Sequence, residues 1–406
     1  MFHTLQNVRR SALITIGLLS LTGSPVLAQS YVFSDMGVLS NPSTTYYTRG
    51  INNLGQVVAE SSDGHASVWS NGSWTNLPGL AGWGYGAQDI NDAGQVAGAG
   101  NPTGVDAVVA MRWDSLSSQP TALAGLIPLD VTQTLLPFDS GMTINNHGAV
   151  AGWVWTPAGG LNPALWQPGS TTLTELGSLG GQYTWVYNHS NNDAGLVVGF
   201  GQTENGEASR GIAWDNGGPP QVLALLPGGT NNEADGINNL GQIVGAANNG
   251  AFDDNGDINV PVLWNSVNGQ PTLLGTLGGA RGMAMSVNDN GQIVGWSEAL
   301  DGRAHLTLWD DGQIIDLNQF IPVDLVAAGW HINDDPVLES TIFTSDFLDI
   351  NNQGVIISTL YQGDFVNTLP LMLTPNPVPV PAAVYLFGTG LVGLVGLARR
   401  RMKATD

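Results

Sequence analysis

The chain has 406 residues, 42% of them hydrophobic, and no Cys, which excludes disulfides, thiolate metal sites and a cysteine nucleophile. Eleven Lys and Arg against 33 Asp and Glu leave a net charge of −22. Between the terminal segments the only basic residues are Arg49, Arg112, Arg210, Arg281 and Arg303, so the body repels phosphate backbones, which argues against nucleic acid and in favour of cations.

Residues 1–28 have the three parts of a secretory signal: Arg9 and Arg10, an apolar run from Ala12 to Leu21, and small residues at Val26-Leu27-Ala28. Cleavage is expected between Ala28 and Gln29. Residues 29–374 are then read as the folded body.

The body repeats one phrase around Gly55, Gly94, Gly148, Gly195, Gly241, Gly291 and Gly354. Each Gly follows Asn-Asn or Asn-Asp and one further residue, and "QVVG" or "QIVG" commonly comes after it. Asn and Asp start turns, Gly accepts positive φ and β-branched residues favour strands, so each phrase predicts a tight hairpin with a glycine bulge. A short strand ending in Trp follows in six copies, at Trp69, Trp113, Trp166, Trp214, Trp264 and Trp309. An apolar strand comes after it. Four short strands per unit, at spacings of 39 to 63 residues, predict an all-β chain, a seven-bladed β-propeller of four-stranded blades. The opening "YVFSDMGVL" matches a fourth strand, and the last unit stops after its third. The N-terminal strand is therefore expected to close the ring. The repeated Trp residues are expected to pack between blades.

Three groups on the loops are candidate sites. Trp83, Tyr85, Trp153, Trp155, Trp185, Trp296 and Trp330, with Tyr183 and Tyr361, are read as rings able to stack on sugars. In "DDNGDIN", Asp253, Asn255, Asp257 and Asn259 alternate as oxygen ligands do in calcium loops, although no closing Glu follows. Calcium is the one cofactor expected. The insertion Ile321 to Asp346, between the sixth and seventh units, carries Asp324, Trp330, His331, Asp334 and Asp335 and is read as a structured loop. No Gly-x-Ser-x-Gly or His-Glu-x-x-His motif is present, and no catalytic residue is assigned.

Residues 375–381 form a linker and motif, 382–398 an apolar stretch at the lower limit for a transmembrane helix, and 399–406 a basic cytoplasmic tail. Val378, Pro379 and Pro381, the glycine-rich helix and Arg399, Arg400 and Arg401 resemble a PEP-CTERM sorting signal of the Val-Pro-Leu-Pro-Ala variant, with Val380 in the place of Leu. The resemblance implies a Gram-negative exporter, an exosortase-like protease as partner, a transient stay in the inner membrane and a biofilm-forming host.

The repeats resemble the HAF family of extracellular repeat proteins, in Ile-Asn-Asp/Asn-x-Gly-x-Val-Val-Gly, then His65-Ala66 and Trp, then Leu-Gly-x-Leu-Gly-Gly. That resemblance implies an extracellular location. The expected function is non-catalytic binding or organisation of extracellular polysaccharide in a biofilm matrix. The alternatives are a glycan-degrading hydrolase and a protein-binding surface module.

Overall fold

The computed structural model describes residues 30–376, apart from 38–45, 63, 80–85, 102–106, 128–137, 207, 254–255, 333–347 and 363–366. The signal (1–28), the sorting motif, the apolar stretch 382–398 and the basic tail lie outside the described residues. Among the described residues no helix is long and apolar enough to cross a membrane.

Residues 31–375 form one compact unit, almost entirely of strands. The first repeat builds an antiparallel sheet in chain order from Tyr46–Ile51, Val57–Ser61, Ala66–Ser70 and Ser73–Asn76. The same order recurs over 86–122, 140–175, 180–222, 232–273 and 278–316. A single parallel contact, Leu161 to Tyr183, joins the third and fourth of these into a continuous eight-stranded sheet.

The last sheet is assembled from both ends of the unit. Ile356–Gln362 and Asn367–Pro375 pair with each other, and Tyr31–Asp35 adds the outer strand, in register from Tyr31–Pro375 to Asp35–Leu371. Its inner strand comes in two pieces, Trp330–His331 and Asp349–Ile350, both paired to Ile356–Gln362. The insertion is therefore not only a link between repeats, because part of it is a strand of the final sheet.

The hairpin phrase explains the ring. Gly takes φ between +73° and +84° at each of the seven turns, a conformation that costs a side chain strain. The first Asn serves its own turn. Asn52 Oδ1, for example, accepts from Leu54 N and Gln56 N. Its Nδ2 donates onward to the next repeat, to Asn91 O. The chain of donations continues to the carbonyls of Asn145, Asn192, Asn238, Asn288 and Asn351, and Asn351 returns to Asn52 O. All seven bonds are 2.9 to 3.1 Å. A second ring runs beside the first: each backbone N–H of Asn53, Asp92, Asn146, Asp193, Asn239, Asp289 and Asn352 donates to the side-chain Oδ1 of the next, and Asn352 closes on Asn53. Two closed hydrogen-bonded rings around one axis make the sheets a β-propeller.

The repeated Trp residues are buried between sheets, as expected of packing. The indole N–H of Trp113, Trp166, Trp214, Trp264 and Trp309 donates to a carbonyl of the preceding repeat, at Pro78, Ala124, Gly177, Ala224 and Gly275, over 2.6 to 3.0 Å. The first repeat differs. Trp69 is half-buried, and Trp74, on the outer strand, makes the bond instead, to Met36 O.

Candidate ligand-binding face

In every sheet the innermost strand runs toward the asparagine rings and the second runs away from them. Residues at the start of the innermost strand and the end of the second therefore share the opposite face. The third and fourth sheets bring four aromatic rings together there. Phe138 stacks on Trp153 with centroids 5.4 Å apart and planes at 21°. Trp153 meets Trp185 edge-on at 5.8 Å and 80°, and Trp185 stacks on Tyr183 at 6.3 Å and 15°. All four are half-buried, which leaves part of each ring to solvent. Phe138 was not singled out in the sequence. Its only signal is that it precedes the third repeat's inner strand.

The other sugar-stacking candidates separate from this row. Trp155, half-buried, ends the strand that carries Trp153, and its backbone N–H donates to Asp139 Oδ1 at 2.8 Å. Trp296 corrects the expectation. It occupies the same repeat position as Trp153 but is 5% exposed, in one core with Leu317 and with Ile321 and Ile332 of the insertion. Tyr361 is likewise buried. Trp330 is half-buried at the edge of that core, in the split strand of the last sheet. Trp83 and Tyr85 lie outside the described residues.

The calcium quartet does not converge. Asp253 and Asp257 belong to a hairpin in which Asp253 pairs with Gly256 and Phe252 with Asp257, so the two carboxylates point to opposite faces of the ribbon. Arg281 takes both Asp253 oxygens, at 2.6 and 2.7 Å, and this contact raises the guanidinium pKa. Asn255 lies outside the described residues. Asp257 and Asn259, two residues apart on one strand, instead line a cleft of about 250 Å³ between the fourth and fifth sheets. That cleft also holds Asn231, Asn232, Ser209 and Glu233. Asn231 Nδ2 donates to Asp257 Oδ2 at 3.2 Å, and Asn231 Oδ1 accepts from Ser209 N at 3.2 Å. Burial pushes the Glu233 carboxyl up to about 7. Glu233 begins the fifth inner strand, so the cleft opens on the same face as the aromatic row. The charge pattern of the sequence gave no reason to single it out.

A further polar cluster sits on the axis. His189 has φ +60° and sits in a bulge of the fourth repeat, its Nδ1 3.5 Å from Asp349 Oδ2 and 3.9 Å from Asp89 Oδ1. Asp89 accepts from Thr143 Oγ1 and Ile144 N of the next repeat. Asp349 likewise accepts from Ser286 Oγ and Ile51 N. Burial raises the Asp89 carboxyl to about 6, opposed by the nearby His189 and the bond from Ile144 N. These residues line an axial cavity of about 140 Å³ together with the asparagine rings. Their hydrogen bonds run from one repeat to the next, so they act as a bolt through the ring.

No family model and no curated protein matches the chain. Among solved structures it is similar to YCF48 from Cyanidioschyzon merolae, at 10% identity and TM-score 0.46, over 85% of this chain and 99% of that one. It is also similar to a GH74 enzyme of Niastella koreensis, at 12% identity and TM-score 0.49, over 83% of this chain and 44% of that one. A third is TolB from Acinetobacter baumannii, at 13% identity and TM-score 0.37, over 67% of this chain and 62% of that one. The fold assignment rests on the strand pairing and the two closed rings of this chain, not on these likenesses.

Proposed function

We propose that this chain is a seven-bladed propeller of the HAF-repeat type that is exported, sorted to the cell surface by its C-terminal tail, and binds extracellular polysaccharide without cleaving it. The observation that supports the binding reading is the row Phe138–Trp153–Trp185–Tyr183, four partly open rings on one face. Faces of aromatic rings are apolar and flat, and sugar rings offer C–H faces to them, while the hydroxyls remain free for nearby amides and carboxyls. Surface sorting and the exosortase-like partner rest on the sequence of residues 378–401. A role for calcium would have to rest on Asp257 and Asn259, with Asp253 already paired to Arg281.

The test is co-sedimentation of the full-length protein with exopolysaccharide from the producing strain. Trp153→Ala and Trp185→Ala are each expected to weaken binding at least tenfold, a loss of about 1.4 kcal/mol or more, with an unchanged melting temperature. Undiminished binding by both variants would refute the reading. The hydrolase alternative has one observation in its favour, the raised Glu233 carboxyl in a cleft with Asp257. Reducing ends appearing in the same tubes would favour it.

A further inference from the structure

The cleft between the fourth and fifth sheets takes no part in the aromatic row, and its chemistry is distinct. About 250 Å³ is room for roughly one sugar ring, at the small end of ligand pockets. Among the described lining residues the polar groups are two carboxyls, three amides and one hydroxyl, with no basic side chain. The nearest cations are engaged elsewhere. Arg210 donates to Thr230 O, and Arg281 is clamped by Asp253 on the far side of the ribbon. Of the other acids on adjoining elements, Glu204 is exposed on the fourth-sheet hairpin, and Asp235 is buried two residues further along the Glu233 strand.

Burial pushes the Glu233 carboxyl up to about 7, so the bare cleft disfavours its charged form. A cationic guest removes that penalty. It lets Glu233 ionise and gains charge-assisted hydrogen bonds to two carboxylates. An anionic guest is repelled by the carboxylates and finds no cation among the described lining residues, and a wholly neutral one leaves the proton where it is. Asp257 is preorganised for this role by the Asn231 amide at 3.2 Å, and Asn231 is itself held by Ser209 N. Asn259, on the same side of the ribbon as Asp257, places an amide along the same wall.

We propose that this cleft binds an ammonium group carried on a sugar ring, an amino-sugar unit of a partly deacetylated polysaccharide, held between Glu233 and Asp257 with the Asn259 amide on a ring hydroxyl. The proposal rests on the polysaccharide-binding reading. That reading favours a sugar-borne amine over a lysine side chain, because the cleft opens on the face that carries the aromatic row. No bond to the ligand is made or broken. On binding, the Glu233 proton leaves to solvent.

The experiment is calorimetry of the full-length protein at pH 6.5 with a glucosamine tetramer and with its N-acetylated counterpart. Each is run in two buffers of different ionisation heat. The free-amine tetramer is expected to bind at least tenfold more tightly and to release a fraction of a proton. Glu233→Gln mimics the protonated side chain and is expected to fold normally. It should lose both the proton release and the preference, and Asp257→Asn should lose the preference. Equal binding of the two tetramers, or an unchanged Glu233→Gln, would overturn the inference while leaving the Trp153 and Trp185 results standing. Comparable binding of a trilysine peptide would overturn the sugar assignment. Millimolar calcium that released the same proton would make the cleft a metal site and overturn it as well. Cleavage of the tetramer would replace binding by catalysis.

Discussion

The two positions of the Asn-Asn/Asp pair look interchangeable in the sequence and are not. The first must accept and donate: Asn145 Oδ1 accepts from His147 N and Ala149 N, while its Nδ2 donates to Asn192 O. Only an amide can do both, and all seven repeats have Asn there. At the second position each Oδ1 accepts a backbone N–H, and Asp92, Asp193 and Asp289 alternate with asparagines whose Nδ2 donates to the second carboxylate oxygen, as Asn53 does to Asp92 and Asn146 to Asp193. Asn145→Asp would keep the turn but aim a buried carboxylate at the Asn192 carbonyl. The expected cost is on the order of 3 kcal/mol in denaturant unfolding. Asp92→Asn keeps the oxygen that accepts from Asn53 N but sets an amide against the Asn53 Nδ2 donor at a half-buried site, and is expected to cost about 1 kcal/mol.

Among the elements, the third strand of the second to sixth repeats carries the indole that hooks it to its predecessor. Trp214 is fully buried, and its N–H reaches Gly177 O at 2.8 Å. Trp214→Phe keeps most of the apolar volume and orphans that carbonyl, with an expected loss of about 1 to 2 kcal/mol in chemical denaturation. Trp69, at the equivalent position of the first repeat, has ceded the bond to Trp74, so Trp69→Phe is expected to change stability by less than about 1 kcal/mol. The inversion of this order would show that packing volume, not the indole bond, sets the preference for Trp. The same contrast of context separates Trp153 from Trp296, which occupy one repeat position: the insertion packs over Trp296, and Trp153 has an aromatic neighbour across a sheet boundary instead.

The whole molecule carries a linked pH dependence. Burial raises Asp89 to about 6 and Asp139 and Glu233 to about 7. Unfolded carboxyls release their protons near pH 4. Between about pH 4 and 7 the folded state therefore binds more protons than the unfolded one, and stability falls as pH rises through that window. The melting temperature is expected to be higher at pH 5 than at pH 8. The self-repulsion of a body with so few cations acts in the same direction, and a single variant separates the two. Asp139, 1% exposed, accepts from Trp155 N on one oxygen. Asp139→Asn should narrow the gap between the two temperatures. An unchanged gap would assign the dependence to net charge.

The repeat, the hairpin at each glycine, the packing role of the Trp strand and the closing strand at Tyr31–Asp35 were legible in the sequence, because each follows from local rules of turn geometry and strand alternation. So were Trp153, Tyr183 and Trp185 of the aromatic row, but not Phe138. The amide rings were half-legible: the strict Asn at the first position exceeds what a turn needs, but its second partner lies 39 to 63 residues away in six repeats and 299 away where Asn351 closes on Asn52. What only the tertiary structure decided depends on which neighbour a side chain meets. Spacing alone put Asp253 beside Asp257, and the pairing of the ribbon turned them apart and gave Asp253 to Arg281. Spacing also made Trp296 the equal of Trp153, and an insertion buried it. Glu233 lies in an unremarkable stretch of sequence, and its raised pKa comes from burial between two sheets that no local pattern encodes.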